Sequence, residues 1–225
     1  GAFTSCGEAF RQLISAHLPK SPCFSYSRHP AEQLSPSHYS DFTRPADFQP
    51  AGKPGIKAVW VSFAPIWLLA PFLEQLAQQH PERLKDFRGL IACSSSSALT
   101  KRFAANDFDL ALVARLISSE DQLLVTCRRL DVPCRILRPS LIYGQVGPYG
   151  DRNLSRLLSL MRRLPMLALP FNSGLRQPIH ASQLAAVALE LAQQMLGTGL
   201  DSALPERIAL GGDSQISYKA MLQAL

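Results

Sequence analysis

Hydrophobic residues recur with two alternating periods along the 225 residues of the chain. Spacings of three and four, typical of an amphipathic helix, occur in GEAFRQLISAHL, IWLLAPFLEQLAQQH, residues 108–129, LSRLLSLMRRL and SQLAAVALELAQQM. Short runs rich in β-branched and aromatic residues, typical of buried strands, occur in CFSYSR, KAVWVSFA, FRGLIACSS, CRILRPSLIYG and RIALGG. The alternation predicts an α/β fold, a doubly wound parallel sheet with helices on both faces.

Composition narrows the class of protein. No apolar run reaches the roughly 18 residues that a membrane span requires, so we expect no membrane association. The formal net charge is +6, but Lys and Arg are scattered and form no basic stripe between exposed aromatics, which argues against nucleic acid. A basic balance also suits a small-molecule substrate that carries phosphate, because phosphate recognition favours arginine.

The cysteines indicate a reducing compartment. They are five in number, they lack a CxxC pair, and three of them lie in apolar segments. We therefore expect reduced, packing thiols in a cytoplasmic protein and no metal site.

A glycine turn opens the chain. Gly1 and Gly7 frame GAFTSCG, directly before the first predicted helix, and pyrophosphate binding at a helix N-terminus uses such a turn. Two glycines six residues apart also occur in ordinary turns. Thr4 stands where a middle glycine would allow closer approach of a ligand.

Eight segments in order resemble the extended short-chain dehydrogenase/reductase family, the NAD-dependent epimerases and dehydratases. GAFTSCG resembles the family's GATGFIG turn, SDFTRP its GDLTDP segment, LIACSSSSAL its VSSxxVYG strand, LRPSLIYG its LRPxxVYGP segment and RQPIHASQLA its RxPIHVDDLA segment. The remaining three are YSRHP, VWVSFAP and LGGDSQISYKAMLQAL. The resemblance implies a Rossmann-like core at residues 1–140. Residues 141–225 would add late core elements and a small substrate lobe.

The same resemblance implies elements beyond both ends of the chain. Family members have a first strand before the glycine turn, and they continue past the last segment. We therefore expect this strand and a C-terminal segment to be missing from the 225 residues.

The resemblance implies a dinucleotide site. Arg28, where an acid would bind the ribose of NAD, favours NADP, with NAD as the other candidate; a solvated surface arginine is the alternative. Asp41 and Phe42 match the adenine-binding pair, although Asp41 also suits a turn cap. The other residues expected at the cofactor are Ala64, Ser94, Ser95 and Pro139.

The catalytic residues of the family are only partly present. Ser96 matches the serine that orients the substrate oxygen, and a polar strand end is its alternative. Glu120 matches the glutamate of YxxSKxxxE, which places Leu116 at the lysine position and Leu112 at the tyrosine position. Leucine transfers no proton, and no tyrosine of the chain precedes a lysine by four residues.

The substrate side has its own candidates. By the resemblance, Tyr143, Arg176 and His180 line the substrate pocket, and the substrate would be phosphorylated or a nucleotide sugar. Tyr143 and His180, with Cys93 and Lys101, are also the substitute proton donors that the sequence offers. The family dimerises through two long helices, which here are the IWLLAPFLEQLAQQH and ALVARLISSEDQLL segments.

Three functions remain open from the sequence. The first is an NADP-dependent oxidoreductase or sugar-nucleotide epimerase or dehydratase with an atypical active site. The second is a catalytically silent dinucleotide-binding regulatory or scaffold protein. The third is a structural protein that has also lost cofactor binding.

Overall fold

A computed structural model describes residues 1–28, 37–150, 175–197, 201, 203–217 and 220. Its helices are α1 (Ser5–His17), α2 (Ile66–Gln79), α3 (Ser97–Thr100), α4 (Asp107–Arg129) and α5 (Ala181–Leu196). Its strands are β1 (Ser25–Ser27), β2 (Ser37–Tyr39), β3 (Ala58–Ser62), β4 (Phe87–Cys93), β5 (Cys134–Pro139), β6 (Ile142–Tyr143), β7 (Leu175–Arg176), β8 (Ile179–His180), β9 (Arg207–Leu210) and β10 (Ile216–Ser217). Short 3-10 helices occupy Pro45–Asp47 and Pro81–Leu84.

A four-stranded parallel sheet in the order β3, β4, β5, β9 forms the centre. Along β4 and β5 the side chains alternate between two buried clusters, so that Leu90, Ala92 and Ile136 face one and Ile91 and Leu137 face the other. Successive residues of a strand point to opposite faces, and both faces of this sheet are buried.

Helices cover both faces, as the alternation predicts. The first cluster, which includes Phe72, Leu73 and Leu123, belongs to α2 and α4, while the second, which includes Ala9 and Leu184, belongs to α1 and α5. Each fully buried leucine contributes about 1.5–3 kcal/mol. The predicted α/β fold with its parallel sheet is confirmed.

Small strand pairs lie beside the main sheet. β1 pairs in parallel with β2, and the ring of Tyr26 lies 5.3 Å from that of Phe48, which in turn lies 5.1 Å from Trp60 of β3. This aromatic row attaches the β1–β2 pair to the core.

The predicted strand CRILRPSLIYG is two strands. β5 ends at Pro139; the amide of Ser140 still donates to the carbonyl of Leu210 of β9 at 2.8 Å, and the Ser140 hydroxyl donates to the carbonyl of Gln177. The chain then leaves the sheet, and β6 pairs with β8 through Ile142 and Ile179. The predicted helix LSRLLSLMRRL lies outside the described residues.

Candidate functional site

The glycine turn lies against the end of β3. A Cβ atom on Gly1 would stand 2.3 Å from the backbone carbon of Phe63 and 2.6 Å from the amide nitrogen of Ala64. A Cβ atom on Gly7 would stand 2.3 Å from the carbonyl oxygen of Ala2. Both positions therefore require glycine, and the tertiary structure brings the predicted residues Gly1, Gly7 and Ala64 together.

Thr4 caps α1. Its Oγ1 donates to the carbonyl of Gly1 at 2.8 Å and accepts from the amide of Gly7 at 3.2 Å. Its φ of −133° is ordinary extended backbone, which any residue adopts. The first two amides of the helix have no partner within the helix, so the turn retains donors for an anion.

The ends of β1 and β2 meet at one edge. The amide of Ser40 donates to the carbonyl of Ser27 at 3.0 Å, which places exposed Arg28 beside Asp41. Asp41 Oδ1 accepts from the amide and the hydroxyl of Thr43, both at 2.9 Å. These bonds, the amide first, hold the pKa of Asp41 below its ordinary value, and Arg28 and Arg44 add to the effect.

Asp41 therefore caps a turn with one oxygen, which is one of the two roles that the sequence suggested. The Phe42 ring points into the core, 4.7 Å from the ring of Phe72 and stacked on it. Because the ring is packed there, only the backbone of Phe42 is available to a ligand at this edge.

The serine run continues the sheet ladder. The amide of Ser94 donates to Leu137 at 2.7 Å, and that of Ser96 donates to the carbonyl of Pro139 at 2.8 Å. Ser95 Oγ accepts from the amide of Ser97 at 3.1 Å. In the part of the chain that the structure describes, the Ser96 hydroxyl has no hydrogen-bond partner. Of the three predicted serines, Ser96 therefore has the available hydroxyl.

Ser94 belongs to a buried charge network that sequence reasoning missed. Glu120 of α4 is fully buried; its Oε1 accepts from Ser94 Oγ at 2.5 Å and from Arg138 Nε at 3.0 Å. Its Oε2 accepts from Arg207 Nε at 3.1 Å and pairs with Arg138 Nη2. The network joins α4 to the ends of β4, β5 and β9. A glutamate on an apolar helix face, with single arginines inside two apolar strands, was the signal in the sequence.

Leu112 and Leu116 precede Glu120 on the same helix face. Leu116 is 2% exposed and belongs to the cluster that contains Ala92 and Ala98, while Leu112 is half-buried and packs on that cluster. This face of α4 therefore carries an apolar stripe, Leu112 and Leu116, that ends at the buried carboxylate of Glu120. That these leucines occupy the tyrosine and lysine positions of the family stays a prediction.

The predicted substitute donors are restrained. Burial raises the pKa of the Cys93 thiol to about 12, with a smaller contribution from Cys6. Lys101 Nζ donates to Asp109 Oδ1 at 2.7 Å. A thiol with such a pKa carries its proton at neutral pH and cannot serve as a base there.

Tyr143 and His180 stand together on β6 and β8. Their ring centroids are 5.2 Å apart in an edge-to-face arrangement, and Tyr143 is 36% exposed. His180 Nδ1 accepts from the amide of Ser182 at 3.2 Å, which assigns the proton of the neutral ring to Nε2. Arg176 is exposed on β7 and donates to the carbonyl of Leu175 at 3.1 Å.

The loop after β6 lies across the glycine turn. The Tyr149 ring stacks on that of Phe3 at 6.2 Å, and a Cβ atom on Gly147 would stand 3.3 Å from Glu8 Cγ. Val146 of the same loop is buried with α1 and α5. The loop thus links the predicted substrate-side residue Tyr143 to the predicted cofactor turn.

Among the described residues, no group of three or more His, Cys, Asp or Glu side chains is arranged to hold a metal ion. None of the described helices is both long and apolar enough to cross a membrane.

The chain matches no protein-family profile. A curated protein, the thiazole synthase of Bartonella quintana, is 32% identical over 130 residues, which are 53% of this chain. The chain covers 46% of that protein, about half its length.

Solved structures match over almost the whole chain. A variant of UDP-glucuronic acid 4-epimerase from Bacillus cereus, in complex with NAD, matches with a TM-score of 0.66 and 19% identity. The match covers 100% of this chain and 81% of the epimerase chain. The dTDP-glucose 4,6-dehydratase of Bacillus anthracis, also with NAD, has a TM-score of 0.65 and 13% identity, covering 99% and 77%. The same enzyme type from Streptomyces venezuelae, with NAD, has a TM-score of 0.67, 13% identity and the same coverages. The chain therefore has the Rossmann-like fold of the extended epimerases and dehydratases.

Proposed function

We propose that the chain binds a nicotinamide dinucleotide, NADP in preference to NAD, and acts as an epimerase/dehydratase-like oxidoreductase with an atypical active site. The observation that carries the proposal is the glycine turn at the start of α1, where backbone contacts at Gly1 and Gly7 leave no room for a side chain. This turn offers helix amides to a pyrophosphate beside the end of β3.

The residues present suit such a cofactor. The amides of α1 would bind the pyrophosphate, Arg28 the 2′-phosphate and the free oxygen of Asp41 the adenine amine. Ala64 would lie under the ribose, and Ser94, Ser95 and Pro139 would border the nicotinamide end. The nicotinamide, when bound, supplies or accepts a hydride.

The substrate would be a small molecule that carries phosphate, such as a nucleotide sugar. The solved relatives with this fold include an epimerase in complex with UDP-glucuronic acid. Here Arg176 would bind phosphate, Ser96 would donate its hydroxyl to the substrate oxygen, and Tyr143 or His180 would move the proton that Leu112 and Leu116 cannot.

A catalytically silent dinucleotide-binding regulator is the second candidate. The apolar stripe of Leu112 and Leu116 favours it, because no ionisable group lies at the positions where the family resemblance expects the acid and base. In that case the chain binds the dinucleotide but catalyses no reaction with it.

Calorimetric titration with NADPH and NADH tests the proposal. We expect saturable binding that is at least about tenfold tighter for NADPH, and Arg28→Glu should abolish the difference because it removes a phosphate-binding cation. Absence of binding by both cofactors would favour the third reading, a structural protein. Binding without any hydride transfer to a panel of nucleotide sugars would favour the silent regulator.

A further inference from the structure

We propose that Arg44 is a second residue that selects the 2′-phosphate of NADP, acting together with Arg28. This inference rests on the proposed function, because it concerns the adenosine end of the same dinucleotide. The sequence resemblance drew attention to Arg28 alone.

The backbone brings the two arginines to the same carboxylate. β1 and β2 run in parallel, so Arg28 and Asp41 follow strand ends that meet at one edge. Asp41 then begins a tight turn, in which the amide of Arg44 donates to the Asp41 carbonyl at 2.9 Å. Arg28 thus lies beside Asp41 at the end of β1, and Arg44 lies three residues after Asp41 in the same turn.

The turn that carries Arg44 is held firmly. Arg44 directly precedes the 3-10 helix Pro45–Asp47, and Arg83 Nη1 donates to the carbonyls of Pro45 at 3.1 Å and Ala46 at 2.6 Å. Pro45 is buried against the core. A fixed backbone lowers the entropic cost of placing a guanidinium group on a ligand.

The charge at this edge is unbalanced. Both guanidinium groups are exposed, and among the described residues neither forms an ion pair with a carboxylate. The hydrogen bonds from Thr43 are the main cause of the lowered pKa of Asp41, and the positive charges of Arg28 and Arg44 add to it. Two arginines without an ion-pair partner suit a phosphate monoester, which carries close to two negative charges at neutral pH.

A buried polar side chain directly precedes Asp41 in the chain. The hydroxyl of Ser40 is buried and has no hydrogen-bond partner in the described part of the chain. Buried polar groups are rarely left unpaired, so Ser40 is a polar residue next to Asp41 whose hydrogen-bonding capacity is unused.

The test compares NADPH and NADH binding by calorimetry for the full chain and its Arg44→Ala variant. We expect the Kd of NADPH to rise about tenfold while that of NADH changes by less than about twofold, since only NADPH carries the phosphate. Arg44→Lys should lose part of the preference, because it keeps the charge without the two-pronged geometry. Arg129→Ala, an exposed arginine at the far end of α4, is the matched control and should change neither Kd.

The outcomes distinguish an error in the role of Arg44 from an error in the proposed function. If NADPH binds tightly to the parent and Arg44→Ala matches the Arg129→Ala control, the role of Arg44 is wrong and the proposed function stands. Equal weakening of NADPH and NADH would also overturn the inference, since it would show a structural effect on the turn. If neither cofactor binds the parent, the proposed function itself is wrong.

Discussion

Single residues in this protein divide into those that hold the strand ends in place and those that remain available to a ligand. Glu120 illustrates the first group, because it is fully buried and accepts hydrogen bonds from Ser94, Arg138 and Arg207. Ser96, with no partner for its hydroxyl among the described residues, illustrates the second. Ser94, which donates its hydroxyl to Glu120, and Ser96 therefore differ in role, although they are two residues apart and have the same side chain.

Removal of the Glu120 side chain should be costly. We expect Glu120→Ala to lower the free energy of unfolding by about 3–5 kcal/mol, because it leaves buried Arg138 without its counter-ion. The measurement is urea unfolding at neutral pH. Asp121→Ala is the matched control: it removes the neighbouring acid, which is largely exposed and among the described residues pairs with Arg207 alone, so the loss should stay within about 1 kcal/mol. Equal losses would contradict the burial of Glu120.

The Cys93 thiol should give a pH signature. Its pKa is raised from 9.0 to about 12, so ionisation favours the unfolded chain above pH 9. The stabilisation is complete below pH 9 and is lost as the pH rises toward 12. Urea unfolding of the parent and of Cys93→Ala at pH 8 and pH 10.5 should show a smaller difference at the higher pH. A difference that stays constant would mean that the thiol has an ordinary pKa.

At the scale of elements, the ends of the helices and strands carry the candidate chemistry. α1 begins at the glycine turn with Thr4 as its cap, α3 begins in the serine run, and α5 begins at His180. In a parallel sheet, the carboxyl ends of the strands and the amino ends of the helices lie on the same side. The fold therefore concentrates backbone donors and polar side chains along one edge.

The cap of α1 predicts a graded response. Thr4→Val should lower the free energy of unfolding by about 1 kcal/mol, since the amide of Gly7 loses its acceptor. Thr4→Ser keeps the hydroxyl and should change it by a few tenths of a kcal/mol. Thermal unfolding in parallel runs would show the order, and a valine variant as stable as the serine variant would contradict the capping role.

The apolar stripe of α4 predicts how far the acid-base pair of the family could be restored. We expect Leu116→Lys to lower the free energy of unfolding by more than about 3 kcal/mol, because the ammonium would be buried in a packed cluster. Leu112→Lys should lose about 1 kcal/mol, since a half-buried lysine can extend its amine to water. Denaturant unfolding of both variants checks the order. If the two variants lost similar free energies of unfolding, Leu116 would face an open crevice, which is what the family resemblance implies for the lysine position.

At the scale of the whole molecule, α2 and α4 lie together on one face of the sheet, and their outer surface is partly apolar. Leu68, Leu110, Ile117 and Val125 are exposed there, with Val125 at 59%. This is the surface through which the family resemblance implies a homodimer. A pair of helices with exposed aliphatic side chains suits pairing with a second copy of itself.

Sedimentation velocity tests the homodimer. We expect the parent to sediment as a dimer and Val125→Arg to shift it to the monomer, because the charge would be buried against its counterpart. Ile56→Arg, at a position that is also exposed but lies outside both helices, should leave the dimer intact. A monomeric parent, or dissociation by both variants alike, would exclude this interface.

The sequence by itself determined the long helices and the strands of the main sheet, and that they alternate. Each of these properties depends on local periodicity, and the periods of α2, α4, β4 and α5 are nearly uninterrupted. It also marked the glycine turn, and at Gly7 the reason is local, since a Cβ atom there would meet the carbonyl oxygen of Ala2 five residues earlier. The contacts that require Gly1, with Phe63 and Ala64, come from the tertiary structure. Ordered family-like segments then pointed to the whole fold.

The tertiary structure alone decided which polar residues are structural and which remain available. Glu120 and Arg207 are 87 residues apart, and the contact of Phe3 with Tyr149 likewise joins distant segments. Such pairings follow from packing of the sheet, helices and loops, and no local pattern encodes them. The physical reason is that periodicity specifies which side of an element is buried, whereas the partner of a buried polar group is fixed only when separate elements meet.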